Sequence, residues 1–310
     1  NIKMLRVCIV GYGRAGKIQH EASQNILDVT DVVDQRTSVK NLSTLDNCFF
    51  HTSCVDVIKR SDIDAVIITT PTSSHFNLCM DALEHKKHVL IEKPIAIGTK
   101  QIELLYRKAI ENDCLLYTAY NRRCDPQWLK LIDDLGDCAP LHINVICRDH
   151  PFPPASYLET CGGIFRDAAV HDLDMVCNIL DDTPTKVSAV LDSSEETAST
   201  FLHFSKGCHV RMIHSRHSPY YDQRVCVVCK KKTFEMDNES VSAGTKFQDR
   251  YRDSYIMQLK DFAQRIVTKQ FAPNVSLEHA LFIERLISAC DESSKSGETI
   301  QLQTFGERGG

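Results

Sequence analysis

The sequence predicts an α/β protein in which a doubly wound parallel sheet is followed by a second α+β domain built on a mainly antiparallel sheet. Over the first 120 residues, short β-branched runs alternate with helical periodicity, which is typical of a parallel sheet covered by helices. Beyond them, strand-like runs follow one another directly, which favours antiparallel pairing. A chain of 310 residues is long enough for both, so we place one domain at residues 1–120 and the other at residues 121–310.

The first domain is predicted to contain five strands with helices between them. Its helices show apolar residues at positions i, i+3, i+4 and i+7, as in Phe76, Cys79, Met80 and Leu83. In chain order the predicted elements are strand Leu5–Val10, helix 17–27, strand Val29–Val33, strand Ala65–Thr69, a helix around 76–83, strand His88–Ile91, a helix around 102–109 and strand Leu115–Ala119.

The second domain is predicted to open with helix Pro126–Leu135 and to carry one further helix, Phe165–Leu180, among its strands. Two helices, Tyr255–Val267 and Leu277–Ala289, end the pattern. The predicted strands are Leu141–Cys147, Lys186–Leu191, Thr200–Phe204, His209–His214 and Arg224–Val228.

Composition and charge exclude several classes of protein. The chain is 43% hydrophobic and 25% charged, as in an ordinary globular protein, and its net charge of -5 argues against a nucleic-acid partner. No apolar run approaches the roughly 18 residues of a membrane span, and no secretory signal is evident. Fourteen cysteines without zinc-ligand spacing predict buried thiols, a reducing cytoplasmic location and no metal site.

The first motif with chemical meaning is a glycine-rich turn directly after the first strand. Gly11, Gly13 and Gly16 have the spacing that allows a tight turn, a close approach of a pyrophosphate and close packing of the following helix. Asp34 lies about 20 residues further on, at the end of the second strand, where a carboxylate accepts hydrogen bonds from ribose hydroxyls. The alternative is a simple glycine turn and a solvated aspartate, but the strand–turn–helix context favours dinucleotide binding.

Two later strands are followed by polar residues at the same edge of the sheet. Thr70, Pro71, Ser74 and His75 follow one of them, and either they contact a cofactor or Ser73 or Ser74 only caps the next helix. Glu92 and Lys93 precede Pro94 after the next strand. Lys93 either binds a phosphate or substrate hydroxyl, or is an exposed lysine before a turn.

Asp167 and His171 form the sharpest pair in the second domain. Four residues apart on a helix, they share one face, which Asp174 and Asn178 extend as a polar stripe. A carboxylate beside an imidazole suits a general base near neutral pH. The alternatives are a solvated helix face and a metal site, for which two ligands are too few.

In combination, these motifs resemble the Gfo/Idh/MocA oxidoreductase family, and the inositol dehydrogenases within it most closely. The glycine turn and Glu92-Lys-Pro94 mark the family as a whole. The more specific resemblance lies in Tyr120-Asn-Arg-Arg-Cys-Asp-Pro126, Cys147-Arg-Asp149, Gly162-Gly-Ile-Phe-Arg-Asp-Ala-Ala-Val-His-Asp172, Tyr221-Asp-Gln-Arg224 and Arg250-Tyr-Arg-Asp-Ser-Tyr255.

The resemblance implies a Rossmann-type first domain and oxidation of a small polyhydroxylated substrate by hydride transfer to NAD. It implies that Lys93, Asp167 and His171 are catalytic, with His171 as the base. It implies that Lys93, Arg122, Asp149, Asp167, His171 and Tyr221 bind substrate, and that Gly11, Gly13, Arg14, Ala15, Gly16, Asp34, Thr70, Pro71, Ser74, His75, Glu92 and Lys93 bind the cofactor. It also implies a homo-oligomer, either a homotetramer or a homodimer.

Departures from the family pattern leave the substrate open. His150 stands where a proline is usual, Cys124 replaces a bulky residue, and residues 229–232 replace a glycine-containing turn. The alternatives are therefore another sugar, polyol or trans-dihydrodiol dehydrogenase of the family, or a non-catalytic NAD-binding regulator. Lys93 and His171 are both present, which argues against the regulator.

The choice of cofactor depends on two neighbouring residues. Asp34 favours NAD, because its carboxylate would repel the 2′-phosphate of NADP. Arg36 acts in the opposite sense, because an arginine at this position accommodates that phosphate in NADP enzymes. We expect Asp34 to prevail, since Arg36 can turn towards solvent.

Overall fold

The computed structural model describes residues 4–45, 47–237 and 246–303, and it divides the chain into two compact units. The first unit contains the chain up to Asn121 together with Arg252–Ala280. The second contains Arg122–Tyr251 together with the chain from Leu281 onward. No helix among the described residues is long and apolar enough to cross a membrane.

The first unit contains a six-stranded parallel sheet with the strand order β3-β2-β1-β4-β5-β6. The order reverses between β1 and β4, as in a Rossmann fold. The elements are β1 (Arg6–Val10), α1 (Arg14–Ala22), β2 (Asp28–Val33), β3 (Phe49–His51), α2 (Val55–Lys59), β4 (Ala65–Ile68), α3 (Thr72–Glu84), β5 (His88–Ile91), α4 (Thr99–Glu111) and β6 (Leu116–Thr118).

The second unit contains a seven-stranded sheet with the order β12-β11-β7-β10-β9-β8-β13, in which only β7 and β10 are parallel. Its elements are α5 (Pro126–Leu135), β7 (Pro140–Arg148), α6 (Ala155–Leu158), a π turn (Phe165–Ala169), α7 (Val170–Leu180), β8 (Pro184–Leu191), β9 (Thr197–Phe204), β10 (His209–Ser215), β11 (Asp222–Cys229) and β12 (Thr233–Met236). The chain continues with α8 (Phe247–Val267), α9 (Leu277–Ser296) and β13 (Ile300–Gln301). This confirms the predicted fold class.

The structure differs from the predicted domain limits in one respect. The division after Asn121 lies one residue from the predicted boundary, but Arg252–Ala280 returns to the first unit, whereas we expected residues 121–310 to form one continuous domain. The physical reason is apolar packing, because Leu259, Phe262 and Ile266 of α8 are buried in the core formed by the first sheet.

Several short elements were not predicted, namely β3, α2, α6, β12 and β13. The predicted helix 17–27 begins earlier and ends at Ala22, because its glycine turn already supplies the first helical residues. The predicted helix Phe165–Leu180 begins as a π turn, in which each turn takes one residue more than in an α-helix.

Candidate active site

Four loops leave the same edge of the first sheet, because β1, β2, β4 and β5 are parallel and end in register. Val10 of β1 pairs with Val33 of β2 and with Ile68 of β4, and Ile68 pairs with Ile91 of β5. Open α/β sheets bind ligands at this edge. The predicted cofactor residues in these loops and the helix starts after them are Gly11, Gly13, Arg14, Ala15, Gly16, Asp34, Thr70, Pro71, Ser74, His75, Glu92 and Lys93.

The glycine turn after β1 has the shape that a dinucleotide requires. Gly11 has a φ of 92°, and a Cβ at Gly16 would approach the Gly11 carbonyl oxygen to 2.1 Å, so only glycine allows α1 to pack so closely. A Cβ at Gly13 would meet nothing within 4 Å, which leaves open space beside the backbone. Helix α1 begins at Arg14 without a side-chain cap, so its first amide groups can bind a phosphate.

Asp34, directly after β2, is held by its neighbours in one orientation. The Tyr12 amide donates to Oδ2 at 2.8 Å, and the Arg36 amide donates to Oδ1 at 2.9 Å. The Arg36 guanidinium donates to both carboxylate oxygens, at 2.9 and 2.7 Å. Burial alone would raise the pKa of Asp34, but the hydrogen bonds from Arg36 and Tyr12 lower it to about 2. We expected Arg36 to turn towards solvent; it pairs with Asp34 instead, with 60% of its side chain exposed.

His75 connects two of the four loops. Its Nε2 lies 2.8 Å from the Thr70 carbonyl oxygen, and its Nδ1 lies 2.8 Å from the Pro94 carbonyl oxygen. Burial lowers the pKa of His75. The imidazole therefore fixes the loop after β4 against the loop that carries Lys93, and its contact with the cofactor stays a prediction.

The first turn of α3 lacks the serine N-cap that the sequence left open as an alternative to a cofactor contact. The residue before the helix is Pro71, so neither Ser73 nor Ser74 is the N-cap. The Ser74 hydroxyl donates to the Pro71 carbonyl oxygen at 2.8 Å, and its oxygen lies 2.7 Å from the Thr70 hydroxyl oxygen. These bonds stabilise the loop from within.

Glu92 and Lys93 follow β5. The Gln19 side-chain amide donates to Glu92 Oε1 at 3.0 Å, which joins this loop to α1. Burial raises the pKa of Glu92. The structure thus fixes Glu92 against α1 and places Lys93, partly exposed, next to it in the chain.

In the second unit, the π turn carries Asp167, and the first turn of α7 carries His171. Four residues are close to one turn in either type of helix, so both lie on the same side of the segment, and both are partly exposed. The Tyr157 hydroxyl donates to Asp167 Oδ1 at 2.7 Å, and the Arg216 guanidinium donates to Oδ2 at 3.0 Å. Each carboxylate oxygen thus has a donor from outside the helix.

The predicted polar stripe does not continue along α7. Asp174 is buried and accepts two hydrogen bonds from the Arg123 guanidinium, at 2.8 and 2.7 Å, whereas Asn178 is exposed. The expectation of one continuous stripe was wrong, because the helix buries the side that carries Asp174.

Arg122 and Tyr221, two predicted substrate contacts, belong to a buried hydrogen-bonded network centred on Asp172. Arg122 donates to Asp172 and to the Tyr221 hydroxyl oxygen, the latter at 3.1 Å. His214 Nε2 lies 2.8 Å from Asp172 Oδ2, and the Gln223 side chain donates to Oδ1 at 3.1 Å. Burial would raise the pKa of Asp172, but the charge of Arg122 and the bond from His214 lower it to about 2.

Asp149, the remaining predicted substrate contact, lies in the loop after β7. Its amide donates to the Ser215 carbonyl oxygen at 2.8 Å, and its Oδ1 accepts a hydrogen bond from the His150 amide at 2.9 Å. The His150 ring lies 2.9 Å from the Ser218 carbonyl oxygen. Asp149 and His150 are therefore fixed against the loop after β10.

Sequence reasoning missed Asp172 and Arg216. Both are almost completely buried, and both bind residues that are distant in sequence. The only signal available was their position, Asp172 next to His171 and Arg216 two residues after the predicted strand His209–His214. Neither position reveals which residue the side chain binds in the folded protein.

All fourteen cysteines lie in the described part of the chain, where each is a free thiol and nine are buried. Within the described ranges, no group of three or more histidine, cysteine or acidic side chains could hold a metal ion.

Known proteins share both the sequence pattern and the fold. Residues 5–120 match the GFO_IDH_MocA profile, described as an oxidoreductase family with an NAD-binding Rossmann fold, and residues 133–235 match the Gfo/Idh/MocA C-terminal domain. Myo-inositol 2-dehydrogenase of Thermotoga maritima is 28% identical over 96% of this chain and 99% of its own. Inositol 2-dehydrogenase of Rhizobium meliloti is 28% identical over 84% and 88%. A putative myo-inositol dehydrogenase from Sinorhizobium meliloti superimposes with a TM-score of 0.86 at 26% identity, over 97% of this chain and 100% of its own.

Proposed function

Because this chain belongs to the Gfo/Idh/MocA family and is an NAD-dependent oxidoreductase that acts on a CH–OH group, we propose that it oxidises a ring hydroxyl of inositol, or of a similar cyclic polyol, to the ketone. The observation that carries this proposal is the length of the similarity. The Thermotoga maritima inositol dehydrogenase matches this chain over 99% of its own length, so the second unit is included as well as the nucleotide-binding unit.

The residues of the first unit fit the cofactor. Gly13 leaves open space beside the start of α1, and Asp34 offers an ionised carboxylate at the end of β2. These residues would hold the pyrophosphate and the adenine ribose, respectively. When bound, NAD supplies the acceptor for the hydride of the alcohol carbon.

The chain's own side chains supply the proton chemistry. We assign His171 as the general base that takes the hydroxyl proton, since an imidazole titrates near neutral pH. Asp167 binds a substrate hydroxyl and orients His171. Lys93 stabilises the negative charge that develops on the oxygen as the proton leaves.

The choice of one substrate among similar polyols would follow from several hydrogen-bond donors and acceptors that hold one hydroxylated ring. A side chain that binds a particular hydroxyl rejects analogues lacking it, because its own polar group is then left without a partner. We assign to Asp149 and Arg122 the role of binding particular substrate hydroxyls. His150 and Cys124 depart from the family pattern nearby in sequence, and they favour a second candidate, a different cyclic polyol or sugar as the preferred substrate.

The test is turnover measured with inositol isomers, aldoses and a trans-dihydrodiol, each with NAD and with NADP, from absorbance at 340 nm. His171→Ala should reduce kcat about 10²–10⁴-fold while NAD still binds, because the proton acceptor is lost. His85→Ala, at the end of α3, is the matched control and should leave kcat unchanged. Unchanged turnover in His171→Ala would contradict its role as base, and activity confined to the aldoses would contradict inositol or a similar cyclic polyol as the substrate.

A further inference from the structure

Arg216, the residue directly after β10, carries a charge that is almost completely buried. Only 2% of its side chain is exposed. Its Nη2 donates to Asp167 Oδ2 at 3.0 Å, and its Nη1 donates to Glu196 Oε2 at 2.5 Å. The same Nη2 lies 3.3 Å from Sγ of Cys161. One cation thus connects Asp167 with the β8–β9 turn and with the loop before the π turn.

Asp167 is held from two directions. Arg216 binds one carboxylate oxygen, and the Tyr157 hydroxyl donates to the other at 2.7 Å. Charge-assisted hydrogen bonds on both oxygens restrict rotation of the carboxylate and favour its ionised form. The group that is expected to orient the base therefore has a fixed rotamer.

We propose that Arg216 is a positioning residue that keeps the Asp167 carboxylate ionised and correctly oriented for the reaction. The inference rests on the proposed function, in which Asp167 touches substrate. Arg216 does not itself touch substrate; it acts through Asp167. Glu196 completes the arrangement by binding the other terminal nitrogen of the guanidinium, while Cys161 lies against the nitrogen that binds Asp167.

The balance of charges supports this role. Two carboxylates, Asp167 and Glu196, share one guanidinium, so loss of Arg216 would leave two acidic groups facing each other in a largely buried space. Like charges at short range favour uptake of a proton by one of them. Removal of Arg216 should therefore raise the pKa of Asp167.

The hydrogen-bond geometry of Arg216 also indicates that this residue orients Asp167 and does not only fill space in the core. The Arg216 Nε is buried and has no hydrogen-bond partner among the described residues, so the guanidinium is fixed through its two terminal nitrogens. The planar guanidinium can bind two carboxylates at once, which a lysine ammonium cannot do with the same geometry.

The decisive variant is Arg216→Met, which keeps a long apolar stem and removes the charge. We expect kcat to fall about tenfold or more and the acidic limb of its pH profile to move upward by about one pH unit, whereas the Kd for NAD stays unchanged. Added guanidinium ion at non-denaturing concentration should restore part of kcat. Arg224→Met is the matched control, because Arg224 also pairs with a buried carboxylate, Asp222, but 51% of its own side chain is exposed.

Two further variants keep the test decisive if Arg216→Met does not fold. Tyr157→Phe removes only the hydroxyl group that donates to Asp167. Arg216→Lys keeps the positive charge but loses the planar guanidinium that binds both carboxylates. Both should lower kcat and move the acidic limb in the same direction. Folded variants with the wild-type pH profile and kcat would overturn the positioning role.

Asp167→Asn separates this inference from the proposed function. If Asp167→Asn is slow and Arg216→Met has wild-type kcat, the positioning role is wrong and the function of Asp167 stands. If Asp167→Asn has wild-type kcat, the assigned role of Asp167 fails, and the role of Arg216 fails with it.

Discussion

At the residue scale, Asp34 and Arg36 are the paired residues on which we base a prediction of the preferred dinucleotide. Asp34 has a pKa of about 2, so it is ionised throughout the neutral range and would repel a 2′-phosphate. Arg36 partly neutralises that charge but keeps 60% of its side chain exposed, so it is free to leave when ribose hydroxyls bind. The carboxylate, fixed by the Tyr12 amide, stays in place.

We therefore predict a preference for NAD over NADP of at least about tenfold in kcat/KM, equivalent to about 1.4 kcal/mol. Asp34→Ser should shrink or reverse this preference, because the repulsive charge is removed and Arg36 is released for the phosphate. Steady-state kinetics with both cofactors provides the measurement, with Arg36→Ala as the comparison. Equal use of NADP by the unaltered protein would make Arg36 the dominant residue and refute this assignment.

Asp172 leads to a prediction about stability in acid. Its folded-state pKa of about 2 lies below the ordinary value of 3.8, so its ion pair with Arg122 stabilises the fold fully above about pH 4. The contribution, about 2 kcal/mol, is lost as the pH falls through the folded-state pKa.

Asp172→Asn should lower the free energy of unfolding by about 3–5 kcal/mol at pH 7, because Arg122 then remains buried without its carboxylate. The difference from the unaltered protein should shrink between pH 4 and pH 2. Urea denaturation at several pH values measures it. A difference that is constant over that range would show that the carboxylate charge is unimportant.

At the element scale, the junction of β1 and α1 allows packing and cofactor binding to be tested separately. A Cβ at Gly16 would lie 2.1 Å from the Gly11 carbonyl oxygen, whereas a Cβ at Gly13 would meet nothing within 4 Å. Gly16→Ala should therefore destabilise the apoprotein by about 1–3 kcal/mol. Gly13→Ala should leave the apoprotein melting temperature unchanged and weaken NAD binding, since the methyl group enters the space required by the pyrophosphate.

Melting temperatures without cofactor and NAD titrations by calorimetry distinguish the two variants. Gly13→Ala with undiminished affinity for NAD would show that the pyrophosphate does not approach this residue. Gly16→Ala with unchanged stability would show that α1 can shift away from the turn at little cost.

The strands of the first sheet and the π turn of the second unit show which elements the sequence could predict. The six-stranded sheet was largely recognisable, because buried parallel strands are apolar, β-branched runs of four to six residues. Strand β3 (Phe49–His51) was not, since none of its three residues is buried and none is β-branched. The π turn at Phe165–Ala169 was also missed, because its extra residue per turn is a backbone property that no side-chain pattern reveals.

The parts of the candidate site that lie within one local sequence motif could be predicted. The glycine turn and Asp34 are adjacent along one βαβ unit, so their spacing predicts their proximity. Arg216 and Asp167 are 49 residues apart, and Arg122 and Asp172 are 50 apart, so only the folded chain reveals these pairs. The contact of the His75 ring with the Pro94 carbonyl was equally hidden, because Pro94 lies in a different loop, 19 residues further along the chain.

At the scale of the whole molecule, the second sheet presents an outward face that carries exposed apolar side chains. Residues of β8 and β9 alternate between a buried side and an exposed side. On the exposed side, Val190 is 63% exposed and Phe201 is 44% exposed. Exposed apolar side chains on one face of a sheet commonly mark a surface that binds another protein chain.

We predict that this face pairs with a second copy of the chain, giving a homodimer or a homotetramer. Light scattering at micromolar concentration should yield a mass two or four times 35.1 kDa. Phe201→Glu combined with Val190→Lys should reduce the assembly, because charged side chains lose their hydration when such a face is buried. Ile110→Glu is the matched control, since Ile110 lies on α4 of the first unit and is 76% exposed. A monomer mass for the unaltered protein would contradict the prediction. An oligomer that persists in the double variant would instead place the interface on another surface.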